Sequence, residues 1–585
     1  MFTSPKMKKI FGLISHAVLC INASAADIPK APTTTGTLLQ QNKALIDFGS
    51  DATQMRSVSP GKVAPENGLG PKYDAEHNQK AESTRILINQ FSIDYHFTEP
   101  VEKKIQALFD AYKGRRLLFS DIDQVRHRLD AILRQEVDLL AFVQVPRQDI
   151  SNGTLHFEFM QAKIQSVRFA NHSSVATDVL EKFTLRSNDA TADGTHPLTW
   201  HDVTDAIKRI SDLPGVDAVV PQLSPGTEIG STQLDLKIAA AKRIRAALLV
   251  DNSGSPSSGK NRVGGQIVVN NPLGLGDQLQ ATALSSPQAL QNKDAKDGAS
   301  VIGQVSYELP FGYQGTRIGG SYTRANYSAG GGLADLSDGL AEIFGLYASR
   351  SLMQAGNANL SLRAALYDKN LTDTLFGFHQ KRHSQSAEIA LSGMYQGSFM
   401  DKLNVLQFSS VLTAGSLQIR DPGIYNIEAL PHGGYLKSNL NAEFTQALAP
   451  GILSSIKLTA QLSNTHLDAS EQMPLSGAGG VRAYNSNMAS VDQGIVASAN
   501  LTKALTFIPG LSTNIFYDFG RGQINKNAQS EAGNLFSASG YGVGLSWQYQ
   551  KQFSMELAYS RRIGSSAGQF AAPPAQIWVN AAILF

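Results

Sequence analysis

The stretch SVIGQVSYEL, residues 300–309, alternates apolar and polar side chains almost throughout. The apolar face consists of Val301, Gly303, Val305, Tyr307 and Leu309. The other face consists of Ser300, Gln304, Ser306 and Glu308, and Ile302 is its apolar exception. Successive side chains of a β-strand point to opposite faces, so a period of two indicates a strand between two different environments. This stretch therefore predicts a strand with one apolar and one polar face.

The same alternation continues through most of residues 241–585 in segments of about ten residues, the length of a membrane-spanning strand. DQLQATA (277–283) and QIWVNAAILF (576–585) are two further examples, and the second ends on the aromatic Phe585. Such segments are typical of a transmembrane β-barrel, whose strands turn apolar side chains to lipid and polar ones to the lumen. A soluble β-sandwich or propeller is the alternative. It is less favoured because no propeller-blade signature recurs.

The composition agrees with an exported barrel. Only 17% of the 585 residues are charged, 51 are glycine, and the formal net charge is +2. Soluble proteins average about a quarter charged residues. A nearly neutral chain also lacks the strongly basic balance expected of a nucleic-acid-binding protein.

The first 25 residues have the pattern of a secretory signal. Lys6, Lys8 and Lys9 precede an apolar run at 10–21, and Ala23-Ser24-Ala25 supplies the small residues of a cleavage site. The only cysteine, Cys20, lies in this segment, so no disulfide is expected in the mature chain. No apolar run of 18 or more residues follows, and no helical membrane span is therefore predicted.

Two α/β modules are predicted between the signal and the barrel, at residues 81–162 and 163–240. Each contains runs with strand, helix, helix, strand and strand character. The first begins with one strand at 86–97, and Ser120 is predicted to cap its second helix. In the second module, Thr199 is predicted as a helix cap. Residues 26–80 read as linker, apart from a helical pattern at 36–48.

Three segments, taken in order, resemble the transporters of two-partner secretion. They are VPRQDISNGTLHFEFMQAKI (145–164), LPGVDAVVPQLSPGTEIGSTQLDLKI (213–238) and VDNSGSPSSGKNRVGGQIVVNNPLGLGDQL (250–279). Their order and spacing are similar to the TpsB family, of the haemolysin secretion/activation type, in the superfamily that includes BamA. The resemblance covers nearly all of the mature chain.

Two motifs carry the resemblance into the barrel. The family's VRG[YF] loop motif is matched by Val481, Arg482, Ala483 and Tyr484, with alanine in place of glycine. The family's F-x-D-x-G strand motif is matched by Phe516, Asp518 and Gly520. Alternation in LSTNIFYDFG (511–520) already turns Asp518 to the lumen, where a charge is tolerated. The resemblance implies that an inward loop at about 470–490 brings Arg482 to Asp518.

The resemblance also implies the rest of the architecture and the function. A barrel of 16 antiparallel strands would lie in the outer membrane of a Gram-negative bacterium, behind two periplasmic POTRA domains and a plug helix at 36–48. The protein would translocate, and could activate, an unfolded TpsA-type exoprotein such as an adhesin, haemolysin or toxin. Candidate recognition residues are Pro146, Gln148 and Asp149, and Phe585 is the candidate barrel-assembly signal.

Further partners implied are outer-membrane lipid and the barrel-assembly machinery, and the protein is expected to be a monomer that binds no nucleic acid. No catalytic, cofactor-binding or metal-binding residues are assigned, because no hydrolase, phosphate-loop or metalloprotease motif is present in the sequence. The protein is accordingly not expected to be an enzyme. A BamA-like assembly factor is the first alternative function, and a passive porin is the second.

Overall fold

The computed structural model describes residues 34–41, 85–136, 141–146, 148–150, 152–161, 163–185, 200–225, 231–287, 289, 298–528, 533–550, 552–564 and 573–585. The predicted signal at 1–25 and the predicted cap Thr199 lie outside these residues, as does most of the linker at 26–80. Helix α1 spans Thr35–Gln41. It covers the first part of the helix predicted at 36–48, and residues 42–48 lie outside the described residues.

The first α/β module is built around a central strand. Its elements are β1 (Ile86–Ile88), β2 (Gln90–Ile93), α2 (Glu99–Tyr112), β3 (Arg115–Leu117), α3 (Phe119–Glu136), β4 (Ala141–Gln144) and β5 (Thr154–Gln161). In the three-stranded sheet, β5 lies between β2, which is parallel to it, and β4, which is antiparallel. Both helices pack on this sheet through one buried core that includes Ile105, Leu129 and Phe157.

Two predictions for this module are wrong in detail. The strand predicted at 86–97 is two short strands, because β1 pairs with β3 whereas β2 pairs with β5. The change of partner occurs at Asn89, whose amide donates to the carbonyl of Gly153 at 2.7 Å. Ser120 is not the helix cap, since α3 begins at Phe119 and the carboxylate of Asp121 instead accepts a bond from the amide of Leu118 at 2.9 Å.

The second module repeats this topology. Its elements are β6 (Lys163–Asn171), α4 (Thr177–Leu185), α5 (Trp200–Ser211), β7 (Val216–Pro225) and β8 (Ser231–Ala240). The last strand is again central, with β6 parallel and β7 antiparallel to it. Leu180, Ile210 and Leu236 are fully buried in its core.

Sixteen strands of the described chain close into an antiparallel barrel. The first eight are β9 (Ile244–Asp251), β10 (Arg262–Asn270), β11 (Gln278–Ser285), β12 (Ala299–Pro310), β13 (Thr316–Ser328), β14 (Ser337–Ala355), β15 (Ala358–Leu375) and β16 (Phe378–Phe399). The other eight are β17 (Lys402–Pro422), β18 (Gly433–Ala449), β19 (Ile452–Ser463), β22 (Gln493–Ala504), β23 (Leu511–Gln523), β24 (Leu535–Tyr549), β25 (Phe553–Arg562) and β26 (Ala575–Leu584). Pairing of β26 with β9 closes the ring, which leaves no free sheet edge. The predicted sixteen-stranded fold is confirmed.

The alternation of residues 300–309 is that of the barrel wall. Val305 points outward and is 50% exposed, whereas its neighbour Gln304 points into the lumen and is buried. Ile302, the apolar exception, also points inward and packs in a lumenal cluster with Leu38 of α1 and Leu371 of β15. The apolar side chain on the polar face is therefore the contact point of a helix inside the barrel.

A long loop also enters the lumen. It connects β19 to β22 over residues 464–492 and contains the two-stranded hairpin β20 (Met473–Pro474) and β21 (Ser490–Val491). Short 3₁₀ turns at Gly331–Leu333 and Ile427–Ala429 lie in other loops at the same end of the barrel. Among the described helices, none combines the length and apolarity required to cross a bilayer.

Candidate functional site

The tip of the inward loop is held by a buried ion pair between Arg482 and Asp518. Arg482 donates to both carboxylate oxygens, from Nε at 2.8 Å and from Nη2 at 2.6 Å, and its backbone amide adds a bond of 3.1 Å. Asp518 lies on β23 and is only 1% exposed. Two parallel bonds between a guanidinium and a carboxylate form a geometrically specific, charge-assisted contact.

Neighbouring strands complete this contact. The hydroxyl of Ser498 on β22 donates to Asp518 at 2.7 Å, and Nη2 of Arg482 also donates to Ser498 at 2.9 Å and to the side-chain carbonyl of Asn500 at 3.2 Å. The guanidinium carbon lies 3.4 Å from the ring centroid of Phe516, an arrangement that favours a cation. The structure thus brings Arg482 together with two residues of the strand motif.

The backbone of Arg482 is fixed from the opposite side. Its carbonyl accepts a bond from the hydroxyl of Ser560 at 2.6 Å and another from the indole N–H of Trp578 at 2.7 Å. Ser560 lies on β25 and Trp578 on β26, so residue 482 bridges strands on both sides of β24. Neither residue is among those predicted from the sequence, although Trp578 stands out as an aromatic residue on the lumenal face of its strand.

The remaining motif residues fit into an apolar cluster between the loop and the wall. Val481 and Ala483 are fully buried, and the ring of Tyr484 meets that of Phe536 edge to face with centroids 6.0 Å apart. Gly520 supplies room for Val481, since a Cβ at residue 520 would lie 2.8 Å from a methyl carbon of Val481. Ala483 does not adopt a positive φ, so its backbone conformation does not require glycine.

Glycines on the lumenal face of β24 provide the space for these contacts. A Cβ at Gly542 would lie 2.3 Å from the ring of Phe516, and one at Gly540 would lie 2.4 Å from the methyl carbon of Ala483. Neither glycine is among the predicted site residues. The sequence signal for both is the run of glycines at alternate positions 540, 542 and 544.

The base of the loop is held by a second buried charge cluster. Glu471 pairs with Lys369 of β15 at 2.5 Å and with Lys437 of β18 at 2.7 Å. At the other end of the loop, buried Asp492 accepts bonds from the ring of His466 at 2.8 Å and from the backbone amide of Lys526 at 2.7 Å. The loop is therefore anchored at its base as well as at its tip.

Helix α1 lies against the same loop. The amide and the hydroxyl of Thr35 donate to Asp373 of β15 at 2.8 and 3.1 Å, and the side-chain amide of Gln40 donates to the carbonyl of Ser470. Leu38 and Leu39 are buried in the cluster that contains Ile302. Helix and loop together occupy the lumen at the end of the barrel away from the two modules.

The other predicted site residues lie far from this centre. Gln148 in the first module exchanges two bonds of 2.7 Å with the backbone of His156 on β5, and the half-buried Pro146 and exposed Asp149 flank it. The C-terminal Phe585 is 41% exposed and its amide donates to the carbonyl of Ala246 on β9 at 2.9 Å.

A closed membrane barrel that holds an inward loop, and that follows α/β modules, defines the chain as an outer-membrane β-barrel transporter. Residues 230–547 match the family model described as "Haemolysin secretion/activation protein ShlB/FhaC/HecB", and residues 88–160 match "POTRA domain, ShlB-type". Because the first match spans more than half of the sequence, the chain belongs to this family of two-partner secretion transporters. The first module is a periplasmic POTRA domain, and the barrel is in the outer membrane.

Individual relatives agree with this assignment. The chain is 26% identical over 521 residues to the heme/hemopexin transporter protein HuxB of Haemophilus influenzae, covering 87% of this chain and 88% of that protein. It is 22% identical over 468 residues to the outer membrane transporter CdiB of Dickeya dadantii, covering 78% and 80%. The solved structure of CdiB from Escherichia coli superimposes with a TM-score of 0.63 at 18% identity, over 96% of this chain and all of that one.

Proposed function

We propose that the barrel lumen is the path of a secreted exoprotein and that the Arg482 loop holds this path in a closed state. The supporting observation is the two-sided attachment of Arg482, whose side chain is bound to Asp518 and whose carbonyl is bound to Ser560 and Trp578. A loop fixed at so many points can block the lumen, and it can be displaced only if these contacts break together. The proposal concerns transport of the exoprotein and not its activation.

Recognition of the exoprotein is assigned to the periplasmic modules. We take the second module to be a second POTRA domain, because its central last strand and its parallel and antiparallel neighbours reproduce the first module. An unfolded exoprotein would add a strand at the edge of one of these sheets. In the described residues the edge strands are β2 and β4 in the first sheet and β6 and β7 in the second. Pro146 and Asp149 lie at the surface beside the first sheet and would contribute side-chain contacts.

Helix α1 is proposed to be the resting plug. Its contacts with Asp373 and Ser470, and the burial of Leu38 among lumenal side chains, support this role. The helix would have to leave before a polypeptide could pass. No nucleotide or enzymatic step is part of this proposal, so folding of the exoprotein outside the cell would drive transport.

The remaining proposals concern lipid, the barrel-assembly machinery and the oligomeric state. Its outward face carries exposed apolar side chains such as Leu346, Ile389 and Ile515, which would contact lipid. Phe585, at the end of the last strand, would act as the signal read by the barrel-assembly machinery. A closed ring without free strand edges is consistent with a monomer.

A role as an assembly factor for other barrels is the second candidate. The chain superimposes on BamA from Haemophilus ducreyi lacking POTRA domains 1–3 with a TM-score of 0.52 at 14% identity, a likeness of fold alone. The two functions differ in what fails when the protein is inactivated. An assembly factor would affect many outer-membrane proteins, whereas a two-partner secretion transporter would affect one exoprotein.

The test is the Arg482→Ala variant, expressed together with the exoprotein that the unaltered protein secretes. We expect exoprotein to disappear from the medium, because a loop that has lost its side-chain attachment to Asp518 would lie at no fixed position in the lumen and would obstruct passage. The variant should still insert and show heat-modifiable migration, and other outer-membrane proteins should remain at normal levels. Normal secretion by the variant would refute the role of the loop. A general loss of outer-membrane proteins would favour the assembly factor.

A further inference from the structure

Arg382 on β16 is shared by three elements of the closed lumen. Its side chain is 5% exposed and lies between two carboxylates, Asp373 of the neighbouring strand β15 and Asp468 of the inward loop, and it pairs with both. It also donates to the hydroxyl of Thr35 at the start of α1, at 3.2 Å. One guanidinium therefore contacts the barrel wall, the loop and the helix.

On the helix side, Asp373 depends on α1 for half of its hydrogen-bond donors. Its carboxylate accepts from the amide and hydroxyl of Thr35, from the hydroxyl of Tyr327 at 3.0 Å, and from Arg382. If α1 left, two of these four donors would be lost. A buried carboxylate without sufficient partners is strongly unfavourable, so Asp373 would then depend more on Arg382.

On the loop side, Asp468 connects Arg382 to the segment that touches α1. One carboxylate oxygen accepts from the amide and hydroxyl of Ser470 at 3.0 and 2.7 Å, and the other accepts from Arg382. Ser470 in turn accepts the bond from Gln40. The α-carbon of Gly36 lies so close to the loop that a Cβ there would be 2.4 Å from the amide nitrogen of Ser470.

We propose that Arg382 is a positioning residue that couples release of α1 to release of the base of the inward loop. Two buried carboxylates compete for its single guanidinium, so loss of the helix donors draws Arg382 toward Asp373 and weakens its hold on Asp468. Coupling of this kind is reciprocal, and a loosened loop must also favour departure of the helix. This inference rests on the proposed function, in which helix and loop together close the lumen.

The test measures the displacement of helix α1 and of the inward loop separately, through one reporter thiol in each, in the full-length protein. Because the single cysteine of the chain is Cys20, a Cys20→Ser background is free of thiols. The helix reporter is Leu39→Cys in α1 and the loop reporter is Leu467→Cys at the loop base, at positions 5% and 2% exposed. Each thiol reacts with a water-soluble maleimide only when its element moves, and labelling rates are recorded in outer membranes without exoprotein.

Each of two substitutions is made in one element, and its effect on thiol labelling is measured in the other element. We expect Asp468→Asn, on the loop, to raise labelling of the helix reporter several-fold, and Thr35→Val, on the helix, to raise labelling of the loop reporter several-fold. In an Arg382→Gln background, each perturbation should lose its effect on the other element. Glu308→Gln is the matched control, since Glu308 is a lumenal carboxylate paired with Arg317 at 2.9 Å, away from α1 and the loop.

The outcomes separate this inference from the proposed function. If Asp468→Asn releases the loop but leaves labelling of the helix reporter unchanged, and Thr35→Val leaves labelling of the loop reporter unchanged, the coupling is refuted, whether or not Arg382→Gln folds. If both cross-effects occur but the variants with released helices show no rise in single-channel conductance in planar bilayers, the coupling stands and the proposed closing role fails. Heat-modifiable migration identifies any variant whose barrel has not folded.

Discussion

The methyl group of Ala483 lies directly against the α-carbon of Gly540. A Cβ built on Gly540 would be 2.4 Å from the Cβ of Ala483, well inside contact distance. The inward loop can therefore carry alanine at residue 483, because the facing strand carries glycine at residue 540.

Gly540→Ala is the corresponding prediction. The new methyl group would overlap that of Ala483, and overpacking of this kind typically destabilises by about 1–3 kcal/mol. We expect the loop tip to move away from Asp518 and secretion to fall, as measured by exoprotein in the medium. Gly303→Ala is the control, because a Cβ on Gly303 meets no atom within 4 Å.

Ala483→Gly should restore secretion when it is combined with Gly540→Ala. The rescue is expected to be partial, because the new Cβ at residue 540 also approaches the carbonyl oxygen of Arg561 at 3.0 Å. A double variant no better than Gly540→Ala alone would show that the contact between residues 483 and 540 does not set the position of the loop.

Exchange of the charges at Arg482 and Asp518 tests whether their contact is direct. Each single variant, Arg482→Asp or Asp518→Arg, places two like charges in a buried site and should abolish secretion. The double variant should recover part of it. Full recovery is not expected, because Asp518 also accepts the backbone amide of residue 482 and Phe516 lies against the guanidinium. Absence of any recovery, with the barrel inserted, would contradict a functional pair.

Local periodicity is sufficient to predict the barrel wall and the lumenal position of Asp518, because a strand fixes the face of every residue along it. It does not predict where Arg482 binds its other partners. Trp578 is 96 positions further along the chain, and its contact with residue 482 exists only because β26 lies near β24 in the closed ring. Such contacts depend on the path of the loop through the lumen, which no local pattern encodes.

Two exceptions to the expected patterns have causes that a sequence alone does not resolve. Ile302 breaks the alternation because α1 packs on it from inside the barrel. The strand predicted at 86–97 divides at Asn89 because its two halves pair with different sheets. In both cases the cause is a tertiary partner, which overrides the local pattern.

Glu471→Gln should destabilise the loop base. Lys369 and Lys437 would remain in a site where both are largely buried, without the carboxylate of Glu471 that pairs with each of them. Loss of one partner from a buried ion pair typically costs about 3–5 kcal/mol. We expect a lower temperature for the heat-modifiable transition of the barrel on semi-native gels. Replacing Lys437 by methionine in the same chain should recover part of the loss, and a further drop in that double variant would contradict this explanation.

Gln148 and Asp149 should differ in what they affect. Gln148→Ala removes both bonds to the backbone of His156, so it should lower the stability of the first POTRA domain by about 1–3 kcal/mol, as followed by hydrogen exchange of strand β5 in the full chain. Asp149 is exposed, and Asp149→Ala should instead weaken binding of the exoprotein without changing exchange of β5. Equal effects of the two variants on both measurements would argue against a recognition role for Asp149.

Leu38→Asp should open the resting pore. Leu38 is 1% exposed among Ile302, Tyr327 and other lumenal side chains, and a carboxylate there would have to be buried in apolar surroundings or drive α1 out of the lumen. Release of the helix is expected to raise single-channel conductance in planar bilayers to the level of a variant that lacks residues 34–41. Thr37→Ala is the matched control, because the Thr37 hydroxyl bonds locally to the carbonyl of Thr34, the residue before the helix, at 2.9 Å. If Leu38→Asp and Thr37→Ala conduct alike while the deletion conducts more, burial of Leu38 is not what keeps the helix in the pore. If the deletion itself leaves conductance unchanged, α1 is not the plug.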